Sequence, residues 1–144
     1  MKLVDKMKDE NLGLAILYNF TKGYGHVPMS VYDVVLPFLY HDGFRNHLFE
    51  GIEVEEALTK CVQEDASFIQ NILDTIEKDK EMTSRALGIC LLNKYLSFEF
   101  EDNEMKGIYH ESSILDINEA INLGKFFSGK SYEDIFKYFK KKEF

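Results

Sequence analysis

The segment GKFFSGKS, residues 124–131, carries the residues of a nucleotide-binding P-loop. Gly124, Gly129, Lys130 and Ser131 have the spacing at which a glycine-rich loop surrounds the phosphates of ATP or GTP and a lysine neutralises them. A working P-loop also needs a buried strand before the glycines, small residues in the loop and a helix after it. The neighbouring residues therefore decide whether the motif binds a nucleotide.

The residues before and inside the motif argue against a phosphate site. Ile114, Ile117 and Ile121 recur at helical spacing, which predicts a helix and not a strand ahead of the glycines. Phe126 and Phe127 occupy loop positions, where bulky rings are typical of a protein core. We therefore predict no nucleotide cofactor for this chain.

A capped helix accounts for the same letters. Ser131 is a good helix N-cap, and Asp134, three residues later, completes a variant of the capping box. Gly129 is suited to end the preceding helix, because glycine readily adopts the left-handed conformation found there. The segment is thus predicted to be a turn between two helices, and its match to the P-loop pattern is accidental.

The strongest remaining catalytic candidate is the pair His41 and Asp42, with His47 nearby. A small metal-dependent hydrolase built on these three residues is one alternative function. Such a site needs further ligands on separate helices, whereas His26 and His110 are predicted to lie in a linker and in a hairpin. His41 is better explained as a helix-end histidine that interacts with the C-terminal dipole. We predict no catalytic residue, no metal site and no enzyme activity.

Composition favours one cytoplasmic domain. A chain of 144 residues, 45% of them apolar, is expected to fold as a single domain spanning residues 1–144. Cys61 and Cys90 lie far apart on apolar faces, as buried free thiols of a reducing compartment do. The start of the sequence has no signal-peptide run, and no segment is apolar enough for a membrane span. We expect a cytoplasmic location and no membrane partner.

Charge is distributed unevenly along the chain. The net charge is −8, which argues against a dedicated nucleic-acid-binding protein. Residues 53–81 contain nine acids and three lysines, and residues 98–119 contain seven acids and one lysine. The last twenty residues reverse this balance, with six lysines and three acids. Such runs are often solvated faces, but an acidic middle region also suits a basic protein partner.

Apolar spacing predicts a mainly helical fold in the first half of the chain. Asn11 is a good N-cap for a helix that is apolar on nearly all sides and ends at Gly23 and Gly25, so we place this helix in the core. The residues HVP then form a short extended linker. Ser30 caps a second apolar helix, in which Pro37 either kinks the chain or starts a new turn.

Three further helices and a hairpin follow. Apolar stripes predict helices over residues 52–62, 66–79 and 83–95. The segment LSFEFEDNEMKGIYH then alternates as a β-hairpin does, with its turn near Asp102. We therefore predict a compact helical domain with a short hairpin, a winged-helix-like segment over about 83–110 and a C-terminal helical pair over about 114–142.

A winged-helix layout suggests DNA binding, and a winged-helix DNA-binding regulator is a second alternative function. The helix before the hairpin offers only Arg85 early and Asn93 with Lys94 late, and the hairpin is acidic, so a phosphate backbone would be repelled. We expect protein contacts instead. The residues chosen for them are Glu99, Glu101, Met105, Lys106 and Tyr109 on the hairpin, and Lys137, Lys140 and Lys141 on the terminal helix.

Several stretches occur in an order and at distances that resemble a known family. They are NLGLAILYNFTKGY, VPMSVYDVVLPFLYH, SRALGICLLNKYLSFE and INEAINLGKFFSGKSYEDIFKYF. Together they resemble the small middle component of prokaryotic three-component ABC systems. The chain departs from the family pattern at Leu12, where proline is common, and in a divergent stretch over residues 45–62.

The resemblance implies an accessory role. Such middle components are similar to adaptors encoded beside a large coiled-coil ATPase of the SMC and RecN group and an effector protein, in systems that act against invading DNA. ATP would then be bound by the partner and not by this chain. The expected function is a non-catalytic adaptor between a co-encoded SMC/RecN-like ABC ATPase and the effector. Any contact with DNA would be indirect, through the complex.

Overall fold

The computed structural model describes the backbone of residues 10–142 and the side chains of residues 11–140. Seven α-helices fall within this part of the chain: α1 (Glu10–Tyr24), α2 (Tyr32–Tyr40), α3 (Asp42–Phe49), α4 (Val54–Glu64), α5 (Phe68–Leu92), α6 (Asn118–Phe127) and α7 (Tyr132–Lys142). Three strands form one antiparallel sheet in the order β1–β3–β2: β1 (Val27–Pro28), β2 (Leu96–Glu101) and β3 (Glu104–Tyr109). The predicted class, a mainly α fold with a short β-hairpin, is confirmed.

Helix α1 is buried because its surface is apolar on nearly all sides. Leu17 and Phe20 have no exposed surface. The helix ends where Gly25 adopts a φ of +108° and its amide donates to the carbonyl oxygen of Thr21 at 2.8 Å. A positive φ suits glycine, which has no Cβ. The predicted core helix is confirmed, but it begins at Glu10, so Asn11 lies inside it and is not its N-cap, and Gly23 also lies inside it and does not end it.

Two glycines let α1 and α6 pack backbone against backbone. A Cβ atom on Gly23 would overlap the carbonyl oxygen of Ile121, and one on Gly124 would overlap the carbonyl oxygen of Phe20. Any residue other than glycine would therefore force the two helices apart. We call these four residues the α1–α6 seam. The first glycine of the P-loop-like motif thus serves helix packing.

An aromatic cluster joins five helices around Phe38 of α2. Its ring centroid lies 5.9 Å from that of Phe44 on α3, 6.1 Å from Phe68 on α5, 5.7 Å from Phe127 on α6 and 5.4 Å from Phe139 on α7. All five side chains are fully buried. Such ring pairs contribute about 0.5–1.5 kcal/mol each beyond the area that they bury. This cluster holds the C-terminal helices onto the N-terminal ones.

The hairpin has the register of a two-residue turn. Glu101 pairs with Glu104, and Asp102 and Asn103 between them have φ values of +52° and +64°. Two successive positive φ values define a type I′ turn, whose twist matches that of the flanking strands. The predicted hairpin and its turn are confirmed.

The sheet contains a third strand in place of the predicted linker. Val27 of β1 pairs with Gly107 of β3. Gly107 also lies against the ring of Tyr32, where a Cβ atom would overlap the tyrosine hydroxyl. That hydroxyl is hydrogen-bonded to Thr21 Oγ1 at 2.6 Å and is fully buried, so it cannot move away. The hairpin is therefore fixed on α1 and α2 at its base.

Helix α5 corrects the prediction of two separate helices over residues 66–79 and 83–95. It runs without a break for 25 residues. Asp79 and Thr83 interrupt the apolar pattern but are only 5% and 1% exposed. No glycine or proline lies between them, so the backbone has no reason to stop. The hairpin does follow α5 directly, but the finer likeness to a winged helix stays a prediction.

Helix α6 also differs from its predicted bounds. It begins at Asn118, so Ile114 and Ile117 precede it and only Ile121 lies within it. The irregular segment before α6 is held by side chains of α1, because Tyr18 donates to the carbonyl of His110 at 2.6 Å and Asn19 donates to that of Leu115 at 3.0 Å.

Over residues 10–142, no helix is long and apolar enough to cross a membrane.

Candidate protein-interaction surfaces

The P-loop-like segment forms the end of α6, a turn and the start of α7. The segment ahead of Gly129 is a helix and not a strand, as the isoleucine spacing predicts, although the helix begins later than predicted. Lys130 folds back on α6, with its Nζ 5.3 Å from the ring centroid of Phe126 and 3.4 Å from that residue's carbonyl oxygen. The backbone carbonyl of Lys130 accepts a hydrogen bond from the Tyr24 hydroxyl at 2.6 Å. Lysine and turn are thus both tied to neighbouring helices.

Ser131 and Asp134 cap α7 reciprocally, as predicted. The amide of Ser131 donates to Asp134 Oδ2 at 3.2 Å, and the amide of Asp134 donates to Ser131 Oγ at 3.1 Å. The hydrogen bond from the Ser131 amide, together with the Ser131 side chain, holds the pKa of the Asp134 carboxyl below its usual value. Gly129 has a φ of +82° in the turn before the cap. The capping box is confirmed, and it explains the serine of the motif without a ligand.

His41 has a different role from the predicted one. Its Nδ1 accepts a hydrogen bond from the amide of Phe44 at 3.2 Å and so caps the N-terminus of α3. Its ring also meets the ring of Phe68 edge-on, with centroids 4.7 Å apart. Burial lowers the pKa of His41, which favours the neutral ring that can accept this bond. His41 does follow the last residue of α2, as a helix-end histidine, but its ring caps the N-terminus of α3 and does not act as the expected cation at the α2 C-terminus.

The other two residues of the possible hydrolase set face different partners. Asp42 accepts a hydrogen bond from Arg45 Nη2 at 2.7 Å, and His47 Nε2 lies 2.8 Å from Glu64 Oε1. Among the residues that the structure describes, no group of three or more His, Cys, Asp or Glu could hold a metal ion.

Burial raises the pKa of the free thiols of Cys61 and Cys90 to about 12, which disfavours the reactive thiolate.

The hairpin, residues 96–109, has one apolar face that is buried at its base and exposed at its tip; we call it the acidic hairpin. At the base, Leu96 is 1% exposed, and the ring of Tyr109 packs edge-on against Tyr18 at a centroid distance of 6.1 Å. At the tip, Phe100 and Met105 pair across the strands and are 69% and 43% exposed. Because large apolar side chains rarely stay exposed side by side without a role, this tip is a candidate contact.

The opposite face of the acidic hairpin is polar. Glu99 is exposed and stands across from Lys106. Lys106 Nζ lies 3.1 Å from Asp102 Oδ2, and Glu101 Oε1 lies 2.9 Å from Nδ1 of His26 in the segment before β1. Of the five hairpin residues chosen from sequence, Glu99 and Met105 are therefore the most accessible. Lys106 is engaged in an ion pair with Asp102, Glu101 is hydrogen-bonded to His26, and Tyr109 anchors the base.

Phe100 is absent from the predicted contact residues although the structure exposes it most at the tip. The alternating pattern places Phe100 on the same face as Leu96 and Phe98, which suggests burial. Burial ends partway along the strand because the sheet extends beyond the helices that cover its base. The signal available in the sequence was the crowding of acids around Phe100, since core strands rarely carry so many.

Helix α7 presents the second predicted surface. Lys137 and Lys140 are exposed on it, and the side chain of Lys141 lies outside the described residues. Beside Lys140, the first half of α5 and α7 enclose an open groove of about 480 Å3. Its apolar lining is provided by Ala66, Ile69, Leu73, Tyr132 and Phe136. The lysines thus border an apolar groove, which the sequence did not indicate.

The hairpin and the start of α7 both influence Tyr24, at the end of α1. Burial raises the pKa of the Tyr24 hydroxyl, and the carboxylates of Glu104 and Asp134 raise it further. Glu104 belongs to the hairpin and Asp134 to the start of α7, so both elements bring negative charge close to the same tyrosine.

The sequence was compared with known families, curated proteins and solved structures. No curated protein and no solved structure matches it. The ABC-three component (ABC-3C) system Middle Component 3 family matches over residues 12–142, which include the acidic hairpin, α7 and nearly all of α1. The resemblance to a middle component of three-component ABC systems is therefore confirmed. The chain belongs to the ABC-3C system Middle Component 3 family.

Proposed function

We propose that this chain is a non-catalytic adaptor between an SMC/RecN-like ABC ATPase and an effector protein in a prokaryotic defence system against invading DNA. Its family places it in a system of several components, which implies protein partners. The residues with catalytic potential are occupied by structural contacts. Lys130 packs on Phe126, His41 caps α3, and His47 pairs with Glu64. This arrangement supports a binding role.

The exposed tip of the acidic hairpin is the observation that carries the proposal. Phe100 and Met105 form a small apolar surface that is surrounded by carboxylates. Aromatic residues and Met are enriched at the centres of protein interfaces, and a polar rim around them is typical. The base of the hairpin is fixed by Gly107 and Tyr32, so the tip is presented rigidly. A preorganised contact loses little entropy on binding.

The lysines of α7 are proposed as the second contact. Lys137 and Lys140 are exposed, and Lys140 borders the apolar groove between α5 and α7. An acidic segment of a partner with apolar side chains would meet both features. Opposite charges on the hairpin and on α7 would let the adaptor distinguish two partners by charge.

Co-expression with the proteins encoded beside it tests this function. The chain, the ATPase and the effector are produced together at full length and separated by size-exclusion chromatography. We expect the chain to co-elute with at least one of the two. Phe100→Ser should weaken that association at least about tenfold, as loss of a central aromatic contact does. Phe49→Ser is the matched control. Phe49 is also an exposed phenylalanine, at 52%, but it lies on α3 and not on the hairpin.

Charge reversal tests the second surface. Lys140→Glu should weaken association with the other partner, whereas Lys78→Glu, an exposed lysine on α5, should leave it unchanged. Tight, salt-sensitive binding of random duplex DNA by the chain alone, with no association with the ATPase or the effector, would contradict the adaptor role. Such a result would favour the winged-helix regulator.

A further inference from the structure

The outer edge of β2 is a second feature of the acidic hairpin. In the order β1–β3–β2, no strand within residues 10–142 lies on the outer side of β2. The amide of His110 donates to the carbonyl of Tyr95 at 2.9 Å, just before the paired residues begin. Hydrogen-bonded and non-hydrogen-bonded pairs alternate along an antiparallel ladder. This bond therefore determines which residues of β2 direct their backbone N–H and C=O groups toward β3.

The alternation directs two backbone amides of the tip outward. Counting from the bonded pair of Tyr95 and His110, the next bonded pairs include Glu99 with Lys106. Phe98 and Phe100 lie between bonded positions, so their N–H and C=O groups point away from β3. Within the described residues, no backbone group outside the hairpin is hydrogen-bonded to them. The edge therefore presents free backbone groups beside an exposed aromatic ring.

Edge strands normally carry features that prevent pairing. Lysine, proline, bulges or a covering element are the usual ones. β2 has the sequence LSFEFE, with no lysine and no proline, and its register shows no bulge. Its charged residues are Glu99 and Glu101, both on the polar face. The strand is thus protected only against pairing partners that are themselves acidic.

The same carboxylates decide which occupant fits. In a pairing of β2 with a second copy centred on Glu99, that carboxylate would lie opposite its own copy, and like charges directly opposite are destabilising. Between Leu96 and Tyr109 there are four acids and one lysine, and the whole chain carries −8. A basic strand would instead face Glu99 and Glu101 with opposite charge.

We propose that the edge of β2 binds an extended segment of a partner protein as a fourth strand, with Lys or Arg at alternate positions and apolar residues between them. The cations would lie beside Glu99 and Glu101, and the apolar residues beside Phe98 and Phe100. Main-chain bonds supply affinity in such strand addition, and side chains supply specificity. This inference deepens the adaptor role and rests on it for the existence of a partner.

A peptide tests the edge directly. The probe is a nine-residue peptide of alternating lysine and valine, added to the isotopically labelled full chain. NMR should show that the amides of Phe98 and Phe100 become protected from hydrogen exchange on binding. A peptide of alternating glutamate and valine should not bind. Unchanged exchange at both amides would overturn the proposal.

Two changes separate strand addition from simple charge attraction. Phe100→Pro removes an outward N–H without removing a bond to β3, and proline is tolerated on edge strands. It should weaken binding of the lysine peptide about tenfold or more, and Phe100→Ala, which keeps the amide, should weaken it less. The second change is in the peptide, where N-methylation of alternate amides keeps the charge but removes donors. Equal binding of the methylated peptide would overturn the proposal even if the proline variant failed to fold.

Two further outcomes separate this inference from the adaptor role. If the ATPase or the effector co-elutes equally with the wild-type chain and with Phe100→Pro, the edge proposal and the contact through the Phe100 ring are both overturned, while the co-elution itself still supports the adaptor role. If the lysine peptide binds as expected but neither protein co-elutes, the edge proposal is supported and the adaptor role is not. Dimerisation of the wild-type chain that Phe100→Pro abolishes would identify a second copy as the occupant and overturn the proposal.

Discussion

The α1–α6 seam and the tip of the acidic hairpin differ in packing: the seam has no free space, whereas the tip is exposed to solvent. In the seam, Gly23 and Gly124 bring two helix backbones into contact, and an added methyl group has no space. At the tip, Phe100 and Met105 extend beyond the helices that cover the hairpin base and leave most of one ring in solvent. Changes in the seam should therefore affect stability, and changes at the tip should affect binding.

The largest effect is expected in the seam. Gly124→Ala places a Cβ against the backbone of Phe20, which no rotamer change can relieve. We expect a loss of about 3 kcal/mol in the free energy of unfolding, measured by urea denaturation. Gly88→Ala is the matched control, because Gly88 lies in α5 with nothing within 4 Å of the added Cβ. It should stabilise by about 0.5–1 kcal/mol, and equal losses for both variants would contradict the seam.

A smaller loss is expected where the hairpin joins the helices. Gly107→Ala would push against the buried Tyr32, whose hydroxyl is held by Thr21. We expect a loss of about 2 kcal/mol in the free energy of unfolding. Combining it with Tyr32→Phe, which removes the obstructing hydroxyl, should cost less than the sum of the two single changes. Strict additivity in this double-mutant cycle would show that the two residues do not meet.

The capping box at the start of α7 should contribute less to stability than the contact of Gly107 with Tyr32. Ser131→Ala removes the acceptor for the Asp134 amide at the start of α7, and it should cost about 1 kcal/mol by thermal or urea denaturation. An NMR titration should also show the pKa of Asp134 rising part of the way toward its ordinary value, because the Ser131 side chain is one cause of the lowered pKa, whereas the hydrogen bond from the Ser131 amide remains. Ser84→Ala, at an exposed position of α5, is the control and should change stability by less than about 0.5 kcal/mol.

The smallest effect on stability is expected at the tip. Phe100→Ser removes a ring that is 69% exposed, so the free energy of unfolding should change by less than about 0.5 kcal/mol. The same variant is expected to lose most of its association with the partner. A large loss of stability would show that Phe100 belongs to the core, and the contrast between the two regions would then fail.

Much of the fold follows from local patterns in the sequence. α1 is apolar on all sides, the hairpin alternates, and Ser131 with Asp134 signals the start of α7. Each of these signals depends on residues that are close together in the chain. Local spacing also indicates that the P-loop-like motif lies between helices, although α6 begins later than the isoleucines predict.

The predictions are wrong for elements whose bounds depend on contacts between residues that are distant in sequence. Asp79 and Thr83 are polar yet buried, so the apolar pattern predicts two helices where α5 is continuous. β1 has two residues, too few for any periodicity, and it exists because β3 lies beside it. α3 has no counterpart among the predicted helices, since it is short, mostly polar and contains Gly43 near its start.

The candidate surfaces were predicted in part for the same reason. Sequence identified the acids and lysines, but exposure depends on how far an element extends past its neighbours. Phe100 and Tyr109 lie on one face of one hairpin, yet the first is in solvent and the second packs against Tyr18. No alternation pattern distinguishes them. The groove between α5 and α7 likewise requires two helices that are distant in sequence.

Pro28 limits how complexes of this protein can grow. It occupies the strand opposite β2, pairs with Lys106 and has no amide hydrogen to offer a further neighbour. Lateral growth of the sheet is therefore one-sided, and a chain that accepts a strand at one margin cannot pass the addition on at the other. If a partner strand binds at β2 as proposed, this asymmetry would limit assembly to one added strand per molecule and would prevent open-ended filaments, which two open edges would permit.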